Sequence, residues 1–403
     1  MKRIFLLLIS VTMLLSSLIA LSSCGDDDDA PPKNAVHLST KEDLLKLSDG
    51  GDFVLDNDID CEGLSLKAIQ NFKGSIDGQG YKIHNVRFIS DNNCFGLIGS
   101  IAEADGYDQD IVIKNLALTD FTIDTNLASA DGTLYAGGLI ALNWHPSNSL
   151  FRSVIIENCY VAGDIKIDIN SNNISVGGII GMNTRDTIIK NCVSDVNIDC
   201  ELNEATFKGC TVNAGGVAGQ LYQYLGYYSE LENVVFTGSV DVDTVMSVSL
   251  TAKLRVGGIL GYSDGYSEIS SCLSVPDHIN YSSFFDRNVN VGMLVGVPSD
   301  SKISYSYWCA VDDEAGVMPP LSQMIKASLH SGPINSVGTG VKLYKYDMLT
   351  ADFMKGDYSF DDLDGNRKDS FLSFDPEVWS FGGLNSKGTL NIPYPKVLKS
   401  VNQ

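Results

Sequence analysis

Basic residues are scarce in this sequence: 28 Lys and Arg stand against 50 Asp and Glu, and the formal net charge is −22. Binding to nucleic-acid phosphates requires clustered Lys and Arg, and the chain shows no such cluster beyond its first residues. The composition therefore argues against nucleic acid as a partner and suits a surface exposed to water.

Catalytic motifs are lacking as well. The five histidines are scattered and form no His-Glu-x-x-His pair, which disfavours a zinc protease. Residues 261–265, Gly-Tyr-Ser-Asp-Gly, match the nucleophile-elbow pattern, but that elbow must join a strand to a helix. Residues 361–366 lack the third spaced acid and the terminal Glu of a calcium loop. We therefore expect no catalytic residue, no metal and no cofactor.

The long apolar run of this chain lies at its N-terminus. Lys2 and Arg3 precede apolar residues 4–20, a run that is short for a membrane span and typical of a secretion signal. It ends at Leu21-Ser22-Ser23-Cys24, which resembles the lipobox at which lipoprotein signal peptidase cuts and leaves lipid on the cysteine. The alternative is an ordinary secretion signal that contains a cysteine. We predict a lipoprotein signal peptide over residues 1–23 and a membrane anchor at Cys24.

An acidic tether follows the predicted anchor over residues 24–37. Its negative charge comes from four consecutive residues, Asp26, Asp27, Asp28 and Asp29. Such a run directly after the lipidated cysteine resembles the export signal of Bacteroidota lipoproteins, and a solvated linker is the alternative. The resemblance implies a protein anchored by lipid to the outer membrane and facing the exterior.

The remaining chain is built from repeats. One apolar, glycine-rich phrase occurs six times: Gly96-Leu-Ile-Gly99, Gly137-Gly-Leu-Ile-Ala141, Gly177-Gly-Ile-Ile-Gly181, Gly215-Gly-Val-Ala-Gly219, Gly257-Gly-Ile-Leu-Gly261 and Gly292-Met-Leu-Val-Gly296. A second phrase of the form Ile-x-Asn-Cys follows each one, and a third segment alternates apolar and polar residues. This alternation is typical of a strand with one buried face.

The spacing of the phrases predicts stacked coils of three short strands each. The second phrase places apolar residues at i and i+3, so the chain should bend at Asn115, Asn158, Asn191 and Asn233. We expect Ile156, Ile189 and Ile269 to point inward. Cys159, Cys192 and Cys272 should then stack as buried thiols, whereas a pairing of Cys200 with Cys210 stays open.

These phrases resemble the GLUG motif of bacterial surface proteins, which also occurs in large IgA-cleaving peptidases. Residues 72–85 resemble the segment that opens such domains, and Phe374-Asp-Pro-Glu-Val-Trp379 with Tyr394-Pro395 resembles the segment that closes them. The resemblance implies an all-β fold, a right-handed parallel β-helix over residues 38–306. We expect a short N-terminal capping helix, started by a capping box at Ser39-Thr-Lys-Glu42, and an irregular C-terminal cap over residues 307–403.

Three function classes remain open. We favour a surface-exposed, non-catalytic adhesin whose solenoid binds a glycan or a host or cell-surface protein. A β-helix polysaccharide lyase or hydrolase is the main alternative, with Asp195, Asp199, Asp241 and Asp243 as neighbouring carboxylates that alternation places outward. A structural component of the envelope or of fimbriae is the third.

The favoured class has a candidate site. Loops that follow the glycine phrases should align along one edge of the stack, and they are rich in aromatic residues, which suit sugar faces and protein hot spots. The hypothesised ligand-binding edge comprises Tyr107, Trp144, His145, Tyr222, Tyr224, Tyr227, Tyr228, Tyr262 and Tyr266. The alternative is that these rings fold back and cover their own loops.

Overall fold

The computed structural model describes residues 32–101, 109–125, 132–144, 153–168, 173–202, 210–222, 228–244, 253–282, 289–299, 301–308, 349–357, 359–361, 367–370, 372–388 and 391–399. The chain divides into two units, residues 1–35 and 36–403. The predicted signal peptide, Cys24 and the acidic run Asp26, Asp27, Asp28 and Asp29 lie outside the described residues.

The second unit is a parallel β-helix, which confirms the predicted fold class. A complete coil runs through four strands, Thr133–Gly137, Ile140–Asn143, Val154–Glu157 and Tyr160–Asp168, and the next coil begins at Asn173. Each strand pairs in parallel with its counterpart in the neighbouring coils, so the stack forms four sheets, numbered 1 to 4 in this order. The prediction of three strands per coil is wrong, because each glycine phrase spans the corner between two strands.

Sheets 1 and 2 each contain six strands. Sheet 1 consists of Cys94–Phe95, Thr133–Gly137, Asn173–Gly177, Thr211–Gly215, Lys253–Gly257 and Val289–Gly292. Sheet 2 consists of Ile98–Ser100, Ile140–Asn143, Ile180–Asn183, Ala218–Tyr222, Leu260–Asp264 and Val295–Val297.

Sheets 3 and 4 extend further towards the N-terminus. Sheet 3 consists of Val36–Leu38, Gly51–Leu55, Gly74–Asp77, Ile111–Lys114, Val154–Glu157, Thr187–Lys190, Ser229–Glu232, Ser267–Ser270 and Lys302–Ser304. Sheet 4 consists of Ile59–Asp60, Ser65–Lys67, Lys82–His84, Arg87–Ile89, Ala117–Asp124, Tyr160–Asp168, Val193–Leu202, Val235–Phe236, Ser239–Thr244, Leu273–Ser274, His278–Ser282 and Tyr307–Trp308.

The predicted inward register is correct. Ile156 and Ile189 are direct neighbours in sheet 3, and both are buried with Ile269 in the continuous core of the stack. Cys159, Cys192 and Cys272 are buried in the same core as thiols. Burial raises the pKa of Cys272 to about 12, so this thiol stays protonated. Cys200 and Cys210 are also buried thiols and are not joined by a disulfide.

The corner between sheets 3 and 4 is made by asparagine. Asn115, Asn158, Asn191 and Asn233 all have φ between 52° and 54°, a left-handed conformation that Asn tolerates better than most residues. Their side chains stack between coils: the Nδ2 of Asn158 donates to the Oδ1 of Asn115 at 3.2 Å, and Asn233 donates to Asn191 at the same distance. The predicted bend and asparagine stack are confirmed.

The corner between sheets 1 and 2 explains the glycine phrase. A Cβ on Gly178 would overlap the carbonyl oxygen of Gly216 in the next coil, and a Cβ on Gly181 would lie 2.7 Å from the carbonyl oxygen of Ala136 in sheet 1. At these two positions the backbones approach too closely for a side chain, both along the stack and across it.

A helix covers the N-terminal end of the core. Lys41–Asp49 form a 3₁₀ helix whose Leu44 and Leu47 are buried in the core. Its N-cap is Thr40 and its capping partner is Asp43, so the predicted box is shifted by one residue. The Asp43 carboxylate accepts hydrogen bonds from both the Ser39 and the Thr40 backbone N–H groups, which favours the later start. No helix among the described residues is long and apolar enough to cross a membrane.

The C-terminal region packs along the side of the stack, across most of its coils. Its described residues 349–399, here called the clasp, include the helix Ala351–Lys355 and the antiparallel pairs Ser359–Asp361 with Arg367–Asp369 and Trp379–Leu384 with Asn391–Pro395. The clasp packs its apolar residues on the outer face of sheet 4, against a row of side chains from most of the coils: Ala117, Tyr160, Val193, Val235, Leu273 and Tyr307. Its end reaches the first coils, where the Lys399 N–H donates to the Gly80 carbonyl at 2.8 Å.

Candidate binding edge

Two rows of side chains border the corner between sheets 2 and 3, where the predicted loops leave the stack. Register places Tyr222 beside Asp264 at the end of sheet 2, and Trp144 directly follows the strand Ile140–Asn143 at the same level. Tyr228 and Tyr266 each stand directly before a strand of sheet 3, and those strands pair in register. The predicted alignment of these positions along one edge is therefore present. Tyr107, His145, Tyr224 and Tyr227 lie outside the described residues.

The described aromatic rings differ in exposure. Trp144 is 47% exposed and Tyr266 is 44% exposed, whereas Tyr222 and Tyr228 are half-buried. Trp144 and Tyr266 lie at the same corner in coils three apart, and single exposed rings of this kind are ordinary on a protein surface.

Tyr228 and Tyr266 form the best-defined part of this edge. Their rings stack across neighbouring coils with centroids 5.8 Å apart and planes tilted by 24°. The Tyr228 hydroxyl donates to one carboxylate oxygen of Glu268 at 3.3 Å, and the Lys302 ammonium binds the other at 2.6 Å. The Tyr228 backbone N–H donates to the Asp186 carboxylate. We call Tyr228, Tyr266, Glu230, Glu268 and Lys302 the tyrosine edge.

The electrostatics of the tyrosine edge keep the Tyr228 hydroxyl protonated. Burial raises the pKa of Tyr228, and the carboxylates of Glu230 and Glu268 raise it further. Pairing with Glu268 raises the pKa of Lys302, so this ammonium stays charged at neutral pH. The edge thus offers fixed donors and acceptors beside an exposed ring.

Tyr262 belongs to a different part of the surface. It is a strand residue of sheet 2, and the Arg255 guanidinium from sheet 1 lies 3.6 Å above its ring centroid. Arg255 also donates to Asn213 at 3.3 Å, and Asn213 donates to Gln220 at 2.9 Å. Tyr262 therefore lies within a sheet 2 strand that ends at Asp264, whereas Tyr228 and Tyr266 each stand directly before a strand of sheet 3.

The third corner lacks a protruding loop and is buried. Thr184 and Arg185 are covered, and Asn183 accepts from the Asn143 amide at 2.6 Å and donates to the Arg185 carbonyl at 2.6 Å. Asn183 also contacts Thr187 at the start of sheet 3. This polar stack under the corner was not anticipated from the sequence, although Asn143 and Asn183 occupy the same place in successive repeats.

The carboxylates on sheet 4 form the alternative site. Asp199 lies directly beside Asp241 in register, and both face outward as alternation predicts. Burial raises the pKa of Asp199, and the charges of Asp241 and Asp243 raise it further. Burial also raises the pKa of Asp241, but hydrogen bonds from His278 at 2.7 Å and Asn280 at 3.0 Å outweigh it and lower that pKa.

Asp195 departs from the prediction of a solvated outward carboxylate. It is buried beneath the clasp and accepts hydrogen bonds from the Tyr160 hydroxyl at 3.2 Å, the Thr237 hydroxyl at 3.1 Å and the Ser386 N–H at 2.6 Å. Its role is to hold the clasp on sheet 4. Among the described residues, no group of three or more His, Cys, Asp and Glu side chains is arranged to hold a metal ion.

Comparisons with known proteins give little beyond the fold. No protein-family model matches the chain, and no curated protein matches it. A solved structure from Bacteroides ovatus, named "putative immunoglobulin A1 protease", is similar to 69% of this chain over 76% of its own, with 16% identity and a TM-score of 0.46. The fold itself defines the class: this chain is a parallel β-helix protein.

Proposed function

We propose that this chain is a lipid-anchored, non-catalytic glycan-binding protein displayed on the outer membrane, with the tyrosine edge and Trp144 as its contact surface. The observation that carries this proposal is the alignment of exposed rings at one corner of the stack, beside a fixed carboxylate and ammonium. Sugar rings present C–H faces to aromatic side chains and hydroxyls to charged ones, so this combination matches glycan chemistry.

A binding experiment tests the contact surface. Tyr266→Ala and Trp144→Ala remove the two exposed rings, and Tyr305→Asn is the matched control. Tyr305 is 46% exposed, but it lies at the asparagine corner with φ 50°, where other coils carry Asn. We expect the two edge variants to lose binding on a glycan array while the control keeps it. Equal binding by all three folded variants would remove the edge as the site.

The anchor is tested separately. Because a thioether-linked lipid requires a thiol, Cys24→Ala should lose labelled fatty acid and release the protein from membranes. Replacing Asp26, Asp27, Asp28 and Asp29 by Ala should keep the lipid and reduce cleavage when whole cells are treated with protease. A Cys24→Ala variant that still carries lipid would contradict the anchor.

A glycan-cleaving enzyme is the second candidate. The observation that favours it is the pair Asp199 and Asp241, adjacent carboxylates whose pKa values are shifted in opposite directions. Incubation with a glycan panel should then yield new reducing ends or unsaturated products that disappear in Asp199→Asn and Asp241→Asn. Cleavage with this dependence would replace the non-catalytic proposal.

A further inference from the structure

We infer that the tyrosine edge selects neutral glycans and rejects anionic ones such as sialylated, uronic-acid or sulfated chains; this inference rests on the proposed function. Its basis is the charge around the two rings. The carboxylates of Glu230 and Glu268 both act on the Tyr228 hydroxyl, and Asp186 accepts the Tyr228 N–H. Lys302 is the described cation that contacts this group, and Glu268 pairs with it.

The ring geometry agrees with this selection. Stacking places one face of Tyr266 against the Tyr228 ring, and the residue as a whole stays 44% exposed. The face of an aromatic ring carries partial negative charge and attracts C–H groups while it repels anions. A neutral pyranose satisfies both the ring and the adjacent charges, whereas a carboxylate or sulfate meets the ring face and the acidic groups together.

A second described cation that interacts with Glu230 is also paired with a carboxylate. Lys190, in the next row of sheet 3, is held by Glu232 at 2.6 Å. An anionic sugar that binds a paired ammonium lies beside the carboxylate of that pair, and the two negative charges repel each other. The whole chain adds a long-range repulsion through its net charge of −22.

The donors and acceptors suit hydroxyl groups instead. Glu268 has both oxygens fixed by Tyr228 and Lys302, so its remaining lone pairs point in set directions. A carboxylate accepts from sugar hydroxyls, and the neighbouring ammonium donates to them, so the Glu268–Lys302 pair can bind two adjacent hydroxyls without losing its own contact.

Matched glycans test the selection. Lactose-terminated and sialyl-lactose-terminated probes share a core and differ by one carboxylate-bearing sugar. We expect the full-length protein to bind neutral probes at least about fivefold more tightly, since one carboxylate about 4 Å away costs about 1 kcal/mol in water, which is a factor of about five in Kd. Added salt should weaken this discrimination by screening the repulsion while leaving neutral binding unchanged.

Variants separate this inference from the proposed function. Glu230→Gln should reduce the ratio of the affinity for neutral probes to that for anionic probes several-fold. Glu157→Gln is the control: Glu157 faces outward on the same sheet two coils away, and its replacement should leave this ratio unchanged. Binding that depends on Tyr266 but is equal or stronger for sialylated probes would overturn the selection and keep the glycan-binding function. If binding of every glycan probe is unaffected by Tyr266→Ala, the glycan-binding function fails and the inference fails with it. The same conclusion follows if cells whose glycans have been removed still bind the protein in a way that depends on Tyr266.

Discussion

The two outer faces formed by sheets 3 and 4 belong to the same stack of coils, yet one is covered and the other is open. On sheet 4 the clasp buries the outward residues Tyr160, Val193 and Val235. On sheet 3 the corresponding outward row, with Ile155 and Ile188, stays half-buried and continues into Glu230, Glu268 and Lys302.

This difference in coverage between sheets 3 and 4 indicates which face a partner could reach. Parallel strands bury only their inner face through coil stacking, so the outer face is defined by what the rest of the chain places on it. The covered face serves stability, and among the described residues of sheet 4 the buried carboxylate of Asp195 bonds to the clasp. The open face carries the exposed Tyr266 and the charges around it, and the proposed contact surface lies there.

The largest effect should come from the clasp itself. Trp379 is fully buried on sheet 4 and packs edge-on against Phe374 with ring centroids 4.7 Å apart. Trp379→Ala should cost about 3–5 kcal/mol in the free energy of unfolding of the clasp. Limited proteolysis after residue 308 measures this loss. Trp144→Ala, on the open corner, is the control and should leave cleavage unchanged; similar cleavage in both variants would contradict the division into covered and open faces.

A comparison within one strand tests the inner against the outer side of sheet 3. Ile156 is fully buried and its neighbour Ile155 points outward. Ile156→Ala should cost about 2–5 kcal/mol, since it leaves a cavity between coils, and Ile155→Ala should cost clearly less. Urea denaturation followed by circular dichroism gives both midpoints. Equal shifts would contradict the assignment of Ile156 to the core and Ile155 to the outer face.

The inner side of the coils could be predicted from the sequence, because its requirements repeat locally. Each glycine phrase marks a close backbone approach, and each Ile-x-Asn-Cys marks an inward side chain followed by a left-handed corner. The same signal appears at Asn115, Asn158, Asn191 and Asn233.

What the sequence could not predict lies on the outer side or depends on long-range contacts. Ser386 of the clasp bonds to Asp195, 191 residues earlier in the chain, and neither segment contains a sequence pattern that predicts this contact. The position of Tyr262 depends on where a strand ends, and residues 260–266 alone do not fix whether that strand continues through residue 262. The aromatic edge was anticipated as an alignment, but the Glu268–Lys302 pair that shapes its chemistry was not.

A smaller effect is expected from the carboxylate under the clasp. Asp195→Ala leaves the Tyr160 and Thr237 hydroxyls and the Ser386 N–H without their acceptor, which should cost about 1–3 kcal/mol. Asp199→Ala is the matched control, four residues along the same strand. Burial and the neighbouring carboxylates raise the pKa of Asp199, so removing this carboxylate should leave the stability of the fold unchanged or slightly increase it. The readout is again proteolysis of the clasp. A stable Asp195→Ala clasp would mean that apolar packing alone holds it.

The smallest expected effect is a pH dependence of stability at the edge of the clasp on sheet 4. There Lys387 of the clasp binds Asp277 at 2.9 Å, and His278 binds Asp241. The hydrogen bond with Asp241 raises the pKa of His278, so this pair stabilises the fold below the ordinary histidine pKa of about 6.5 and the contribution is lost as pH rises through the folded value. The pKa of Asp241 is lowered, so its part is present above about 3.9 and is lost as pH falls through the folded value. Stabilisation should therefore be greatest between about pH 4 and 6.5, and because His278 is 45% exposed it should not exceed about 1 kcal/mol.

Urea midpoints at pH 6 and pH 8 should differ less in His278→Gln than in the unaltered protein, and Asp241→Asn should abolish the same difference. If His278→Gln keeps the full pH dependence, the pair contributes nothing to the fold and the clasp border is held by Lys387 and Asp277 instead.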